Sequence, residues 1–299
     1  MDKSIITPIA NRCTFIGLPS SGKTSFIGAF WHVVESGEID STYTVTVPPS
    51  DREYLNRLRK YFLDCEAPER TKTDFVKKIE IEVVERSTDK KATFVFPDLS
   101  GETFESQFEY RKLTNDYVDQ VSECNSLMLF VNPAKIKRSF LISAINGMLD
   151  DADAGNENSA NEAVLTTPAT RWTPKMCQTQ VVLVDLIQMI RKSVTIPCKI
   201  GVIVSAWDTI KQSPDAVEAQ FTPDQWLQAR LPLLHQYLQA NKETFPSHVF
   251  GISAQGGEYK TNDNEDLQAK NRQSERLIVQ SGNTINHDIT IPLKWLFDE

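Results

Sequence analysis

The sequence predicts an α/β fold, a mostly parallel central sheet with helices on both faces and insertions between them, on three observations. Short apolar runs of strand length recur at 12–16, 91–97, 126–131, 199–205 and 249–252, and helical spacings fall between most of them, the alternation that builds parallel sheets. The first run passes through a Gly- and Ser-rich turn straight into a helical pattern. Finally, 299 residues at 40% hydrophobic can bury a full core in one elaborated domain, taken as 1–299 with insertions at about 38–74 and 150–174.

That first turn carries the most chemistry. Residues 17–24 read GLPSSGKT, the G-x-x-x-x-G-K-T spacing of a phosphate-binding loop, which places the predicted fold among the P-loop NTPases. Gly17 and Gly22 lack a Cβ, so the chain can wrap closely with its N–H groups toward phosphate oxygens. Lys23 reaches the β- and γ-phosphates and Thr24 offers its hydroxyl to Mg²⁺, while Leu18, Pro19, Ser20, Ser21 and Ser25 complete the candidate nucleotide loop. A turn that binds nothing can have the same composition. Its context decides for the phosphate site: an apolar strand precedes it, and Phe26, Ile27 and Phe30 follow at helical spacing over 23–34, with the positive helix end toward the anion.

Beyond this helix, Thr42–Val47 alternate as a short strand, and Tyr54, Leu55, Leu58, Tyr61 and Phe62 mark a helix over 50–64. A strand is expected within 75–85, where Ile79, Ile81, Val83 and Val84 interleave with charges that argue for an exposed or edge position. Lys91–Pro97 form the next strand and end in Asp98-Leu99-Ser100-Gly101-Glu102. An acid at the end of a strand beside the phosphate-loop strand can hold Mg²⁺, and a glycine three residues on lets a backbone N–H meet a γ-phosphate; the plain alternative is an Asp-x-x-Gly surface turn. A helix over 104–120, a buried strand at 126–131 and a helix near 135–148 follow. Residues 150–174 are acidic and small, an insertion expected to be mobile over 151–170. An amphipathic helix at 178–191, a central strand at 199–205, a helix over 224–240, a last core strand at 249–252, a loop over 258–274 and apolar closing segments at 277–280 and 289–297 complete the chain.

Composition narrows the partners. Forty acidic against 32 basic residues give a net charge of −8 without a block of Lys or Arg, which argues against nucleic acid as the main partner. Five widely spaced cysteines, without C-x-x-C pairs, read as reduced core residues, and four histidines show no ligand spacing. The N-terminus has no apolar stretch of signal length and no run reaches membrane-spanning length, so a cytoplasmic protein without a membrane span is expected.

Taken together, GLPSSGKT, Asp98 with Gly101, Ser205-Ala206-Trp207-Asp208 and Ser253-Ala254 resemble, in order and at strand ends, the motifs of switch-type GTPases, the Ras-like and translation-factor class. The length, the long first excursion and the closing segment at Pro292–Leu296 are further similar to the bacterial double-GTPase group associated with conflict and defence gene clusters. The resemblance implies GTP/GDP and Mg²⁺ as cofactors, with Thr24, Thr71 and Asp98 around the metal, Thr73 as the other candidate for Thr71, Gly101 at the γ-phosphate and Asp208 reading guanine. Lys23, Thr71, Gly101 and Glu102 are the implied catalytic set, with Glu102 standing where Ras-like enzymes carry a water-positioning Gln; it serves there or as a first-turn helix acid.

The departures matter. Ser205 and Ala206 replace the Asn and Lys of the family's guanine motif, and Trp207 either stacks in place of the lysine stem or fills a core hole. Asp208 still favours guanine, whose N1–H and N2–H₂ form a donor pair that adenine lacks. The implied function is GTP hydrolysis as a regulatory switch read by protein partners. An ATP-hydrolysing P-loop protein and a nucleotide-dependent scaffold with negligible turnover are the alternatives.

Overall fold

The computed structural model describes residues 11–49, 51–68, 78–97, 101–137, 176–259 and 265–298. Strands β1 (Asn11–Gly17), β2 (Tyr43–Val45), β3 (Lys78–Glu85), β4 (Lys91–Pro97), β5 (Ser126–Val131), β6 (Lys199–Ser205), β7 (Ser247–Ser253), β8 (Ile278–Ser281) and β9 (Thr284–Asn286) form one sheet in the order β2-β3-β4-β1-β5-β6-β7-β8-β9. The five central strands β4, β1, β5, β6 and β7 are parallel, and the outer four pair antiparallel. The helices are α1 (Lys23–Ser36), α2 (Arg52–Leu63), α3 (Gly101–Tyr110), α4 (Asn115–Ser122), α5 (Thr179–Ile190), α6 (Trp207–Lys211), α7 (Ala216–Ala219), α8 (Pro223–Arg230), α9 (Pro232–Ala240), α10 (Glu265–Gln268) and α11 (Ile291–Phe297).

This is the α/β P-loop NTPase architecture that the sequence predicts, and the period-2 alternation of β5 shows how it closes. Met128 and Phe130 face one apolar cluster, with α1, α2 and α11; Leu127, Leu129 and Val131 face the other, with α4, α5, α8 and α9. Helices on both faces leave the central strands buried, and every residue of β5 is. Phe15, from β1, anchors the first cluster, its ring centroid 4.8 Å from Phe96, 4.7 Å from Phe130 and 5.7 Å from Phe26.

Three expectations are corrected. Of the exposed or edge position expected for β3, the edge is excluded, because β2 pairs along its outer side, and the exposed face holds. Its charges alternate with Ile79, Ile81 and Val83, all buried in the α1 cluster, so they mark an outward face, not an edge. The helix over 104–120 is two, α3 and α4, broken where Arg111 takes a left-handed φ of 49°. The helix over 224–240 also divides: Pro232 pushes Leu231 out of helical geometry, to φ −135° and ψ 58°. The helix near 135–148 and the insertion at 150–174 fall largely or wholly outside the described residues, which hold only a 3-10 turn at Pro133–Lys135. No helix among the described residues is long and apolar enough to cross a membrane.

The segment between α1 and β3 is drawn onto the body. A Cβ added at Gly28 of α1 would lie 2.7 Å from the Leu58 carbonyl oxygen of α2, so the two helices touch at a glycine. His32, 1% exposed, accepts at Nδ1 from Arg59 Nε (3.1 Å), while its Nε2 is 3.1 Å from Glu38 Oε2. Glu38 in turn accepts from the Ser274 N–H and Oγ, both at 3.0 Å. Burial lowers the His32 pKa, outweighing the opposing pull of Glu38, and the Arg59 donor at Nδ1 suits the neutral ring. Burial alone would raise Glu38, but the Ser274 hydrogen bonds and His32 bring it below its ordinary value.

Two outcomes are expected. Gly28→Ala raises helix propensity by about 1 kcal/mol, yet its methyl meets backbone that cannot rotate away, so the variant melts lower than wild type in calorimetry. For His32, a depressed folded pKa means that the unfolded chain takes up the proton first, so stability present above the unfolded value is lost as pH falls through and below it. Melting curves taken across a descending pH series should show this loss from about pH 6.5, the ordinary histidine range, and His32→Gln should flatten it there. Glu38 adds a loss of the same sign at more acidic pH, where its carboxylate protonates.

Candidate nucleotide site

The site begins where β1 stops. Five residues, Leu18 to Gly22, turn the chain between β1 and α1, with Ser20 at φ 58° and Gly22 at φ 94°, both left-handed. Glycine is needed at both ends on steric grounds as well. A Cβ at Gly17 would sit 2.6 Å from Ser21 Oγ and 3.0 Å from Phe130 Cβ, and one at Gly22 would sit 2.8 Å from Ser205 Cβ. The turn closes around the ammonium of Lys23, whose Nζ donates to Gly17 O (2.6 Å), Leu18 O (3.0 Å) and Ser21 Oγ (3.1 Å) and lies 5.6 Å from the Phe104 ring centroid. Gly22 has no side chain with which to cap α1 and no acid stands in its first turn, which suits that end to an anion.

Other strand ends come to the loop. Asn132, after β5, donates Nδ2 to Ser20 O (2.9 Å) while its Oδ1 accepts from Ala134 N (3.0 Å), bracing the loop from the side. Ser205, at the end of β6, donates to Val131 O (3.2 Å) and packs on Gly22. Ser253, at the end of β7, accepts from Gly256 N (3.0 Å) and shapes the turn carrying Ala254. Thr24, Ser25, Ala254 and Gln255 line one cleft with Tyr61, Phe62 and Glu66 of the α2 exit and with Tyr259.

Asp208 is buried in the first turn of α6, two residues past Ala206, which holds a left-handed φ of 48°. Burial raises the Tyr259 pKa above its usual value, Arg276 opposes this, and the charge of Asp208 adds a smaller push upward. Trp207 does not reach a base. Its indole is fully buried, donates Nε1 to Gln280 Oε1 (2.8 Å) and presses on Gly251, where an added Cβ would lie 2.3 Å from the ring, so the core-filling alternative is the one observed.

Gly101 and Glu102 open α3, whose backbone is described; Thr71, Thr73 and Asp98 lie outside the described residues. Sequence reasoning missed the Asn132 brace, although an Asn-Pro pair directly after a buried strand is a readable turn signal. It also missed Tyr61, Phe62, Gln255 and Tyr259 as cleft walls, which no local pattern announces. Among the described residues no cluster of His, Cys, Asp and Glu has the makings of a metal centre, and the cysteines are free thiols, four of them buried.

The profile of the Double-GTPase 1 family matches residues 14–296. No curated protein matches the sequence. Among solved structures, the chain is similar to the bacterial selenocysteine-specific elongation factor EF-Sec, at 10% identity and TM-score 0.38 over 87% of this chain and 28% of that one. It is also similar to the S. cerevisiae Ski7 GTPase-like domain bound to GTP, at 16% identity and TM-score 0.34 over 84% of this chain and 44% of that one. A third similarity is to the signal recognition particle receptor SRb-GTP/SRX complex from Chaetomium thermophilum, at 12% identity and TM-score 0.35 over 82% and 91%. The chain thus spans less than half the length of the first two.

Removing the ammonium tests the loop directly. Lys23→Ala is expected to abolish triphosphate binding in calorimetric titration while the far-ultraviolet circular dichroism stays that of wild type. Wild-type affinity in the variant removes the loop from the site.

Proposed function

The chain belongs to the Double-GTPase 1 family, and on that premise we propose that it hydrolyses GTP to GDP and phosphate, with slow intrinsic turnover, as a switch whose nucleotide state is read by protein partners. The observation that carries this reading is the wrapped loop: Gly17 to Gly22 curl around the Lys23 ammonium, and the ends of β6 and β7 bring Ser205 and Ala254 to its flank. Backbone N–H groups and the ammonium then face the β- and γ-phosphates, and Asp208 accepts from the guanine edge.

Mg²⁺ fits the chemistry of the donor set, since the Thr24 and Thr71 hydroxyls and the Asp98 carboxylate are hard oxygen ligands; when bound, it offsets charge on the phosphate oxygens. Gly101 is the first residue of α3, so its backbone N–H has no intrahelical acceptor and is available to a γ-phosphate. Glu102, next in that turn, is assigned to orient the attacking water.

Base identity decides between GTP and ATP. Asp208→Asn replaces one acceptor oxygen by a donor facing the guanine donors; hydrogen bonds to a charged group are worth about 1.5–3 kcal/mol, so GTP affinity is expected to fall by roughly tenfold to a hundredfold. Xanthosine triphosphate, with an oxygen where guanine has its amino group, should gain affinity for the same variant. Titrations of GTP, xanthosine triphosphate and ATP against both proteins check this. An unchanged GTP-to-ATP ratio in the variant replaces the guanine reading by the ATP-hydrolysing one, for which the substitution of Ser205 and Ala206 at the guanine motif speaks.

A further inference from the structure

One buried cation joins the exit of α2 to the loop after β7. Arg276, the last residue of a 3-10 turn at Gln273–Arg276, is 4% exposed. Its Nη1 donates to Cys65 Sγ (2.9 Å) and Gln273 Oε1 (2.6 Å), its Nη2 donates to the Phe62 carbonyl, and its guanidinium lies 4.1 Å from the Phe62 ring centroid. These partners are all neutral, and Nε has none among the described residues. A guanidinium withdrawn from water onto neutral groups is costly, so the position does something that an apolar residue of similar size cannot.

The other side of the same residue touches the loop. A Cβ at Gly256 would lie 2.4 Å from the Arg276 carbonyl oxygen, and Gly256 takes φ 83° while its N–H is held by Ser253 Oγ. The two segments that Arg276 joins are two walls of one cleft: Tyr61, Phe62 and Glu66 on the α2 side, Ala254, Gln255 and Tyr259 on the other, with Thr24 and Ser25 at its base. The lining includes three aromatic rings and none of residues 17–22, and the charge of Asp208 acts on Tyr259 among them; the walls now leave room for about one water, so a nucleoside placed here needs them to part. Ala206 has no stem to pack over a base and Trp207 is committed to the core, which leaves these walls to hold the ring. The Tyr259 hydroxyl is buried beside Arg276 and, among the described residues, has no hydrogen bond of good geometry; burial raises its pKa, so it stands as a neutral donor.

We propose that Arg276 is a positioning residue that sets the width of the nucleoside cleft by holding the α2 exit against the loop after β7. It touches no nucleotide atom; it acts through the Phe62 carbonyl, Cys65 Sγ and the backbone at Gly256. The inference rests on the reading of this site as a GTP site.

The test compares GTP with inorganic tripolyphosphate, which engages the phosphate loop but has no nucleoside. Arg276→Gln should weaken GTP about tenfold or more and leave tripolyphosphate within about twofold of wild type. Arg276→Lys should fall between, since one ammonium cannot span both the carbonyl and the thiol in the geometry of the guanidinium fork. Unchanged GTP affinity, or parallel losses for both ligands, overturns the inference, because a general loss of structure lowers both. Should circular dichroism show Arg276→Gln unfolded, Cys65→Ala carries the same test with one acceptor removed: a selective GTP loss of about threefold supports the inference, and no loss or a parallel loss overturns it. Wild-type protein that binds GTP no more tightly than tripolyphosphate overturns the guanine reading itself, and the inference with it.

Discussion

The wrap of residues 17–22 around the Lys23 ammonium is the constraint on which the rest of the structure depends. An ammonium held by two backbone carbonyls and a hydroxyl needs the chain to curl through two left-handed residues, Ser20 and Gly22, and to start and end on glycine. A left-handed serine costs of order 1–2 kcal/mol, and such strain persists only where the surroundings impose it. Here they do: Asn132 holds the Ser20 carbonyl, Phe130 fills the space beside Gly17, and Ser205 packs on Gly22. Each brace comes from a neighbouring parallel strand, so the loop needs the β1-β5-β6 register to exist at all.

Register is in turn secured by the aromatic cluster under the loop. Phe15 meets Phe26, Phe94, Phe96 and Phe130, one from α1, two from β4 and one from β5. Such pairs contribute about 0.5–1.5 kcal/mol each beyond the area they bury, and together they tie the first helix to three strands immediately below its N-terminal end. Glycine at position 28 then lets α2 lie directly on α1, so α2 is itself anchored to the helix that follows the loop.

A strap from the C-terminal part crosses the first excursion. Asp288 Oδ2 accepts from the Thr42 N–H (2.7 Å) and Oγ1 (2.8 Å), Ser274 donates to Glu38, and Arg276 reaches Phe62 and Cys65. The strap's residues lie more than 200 positions from what they hold, and they make the excursion a wall of the site. Its polar contacts are mostly buried or half-buried, where each hydrogen bond is worth more and each unpaired group costs more than at the surface.

The sequence by itself determined the G-x-x-x-x-G-K-T turn, the succession of the core strands along the chain and the strand ends at which Ser205, Ser253 and Ala254 stand, with Asp208 three residues beyond the first. These follow from local rules: glycine where no Cβ fits, apolar runs where strands are buried on both faces, helical spacing after the turn. Pro232 was a local signal too, and its effect on Leu231 was open to be read from the chain. The tertiary structure alone decided that Trp207 belongs to the core, that the charges of β3 mark a face and not an edge, and that Arg276 meets Phe62. Periodicity reports which side of an element is buried but not which element buries it, and a contact between residues 214 positions apart exists only once two folded surfaces meet.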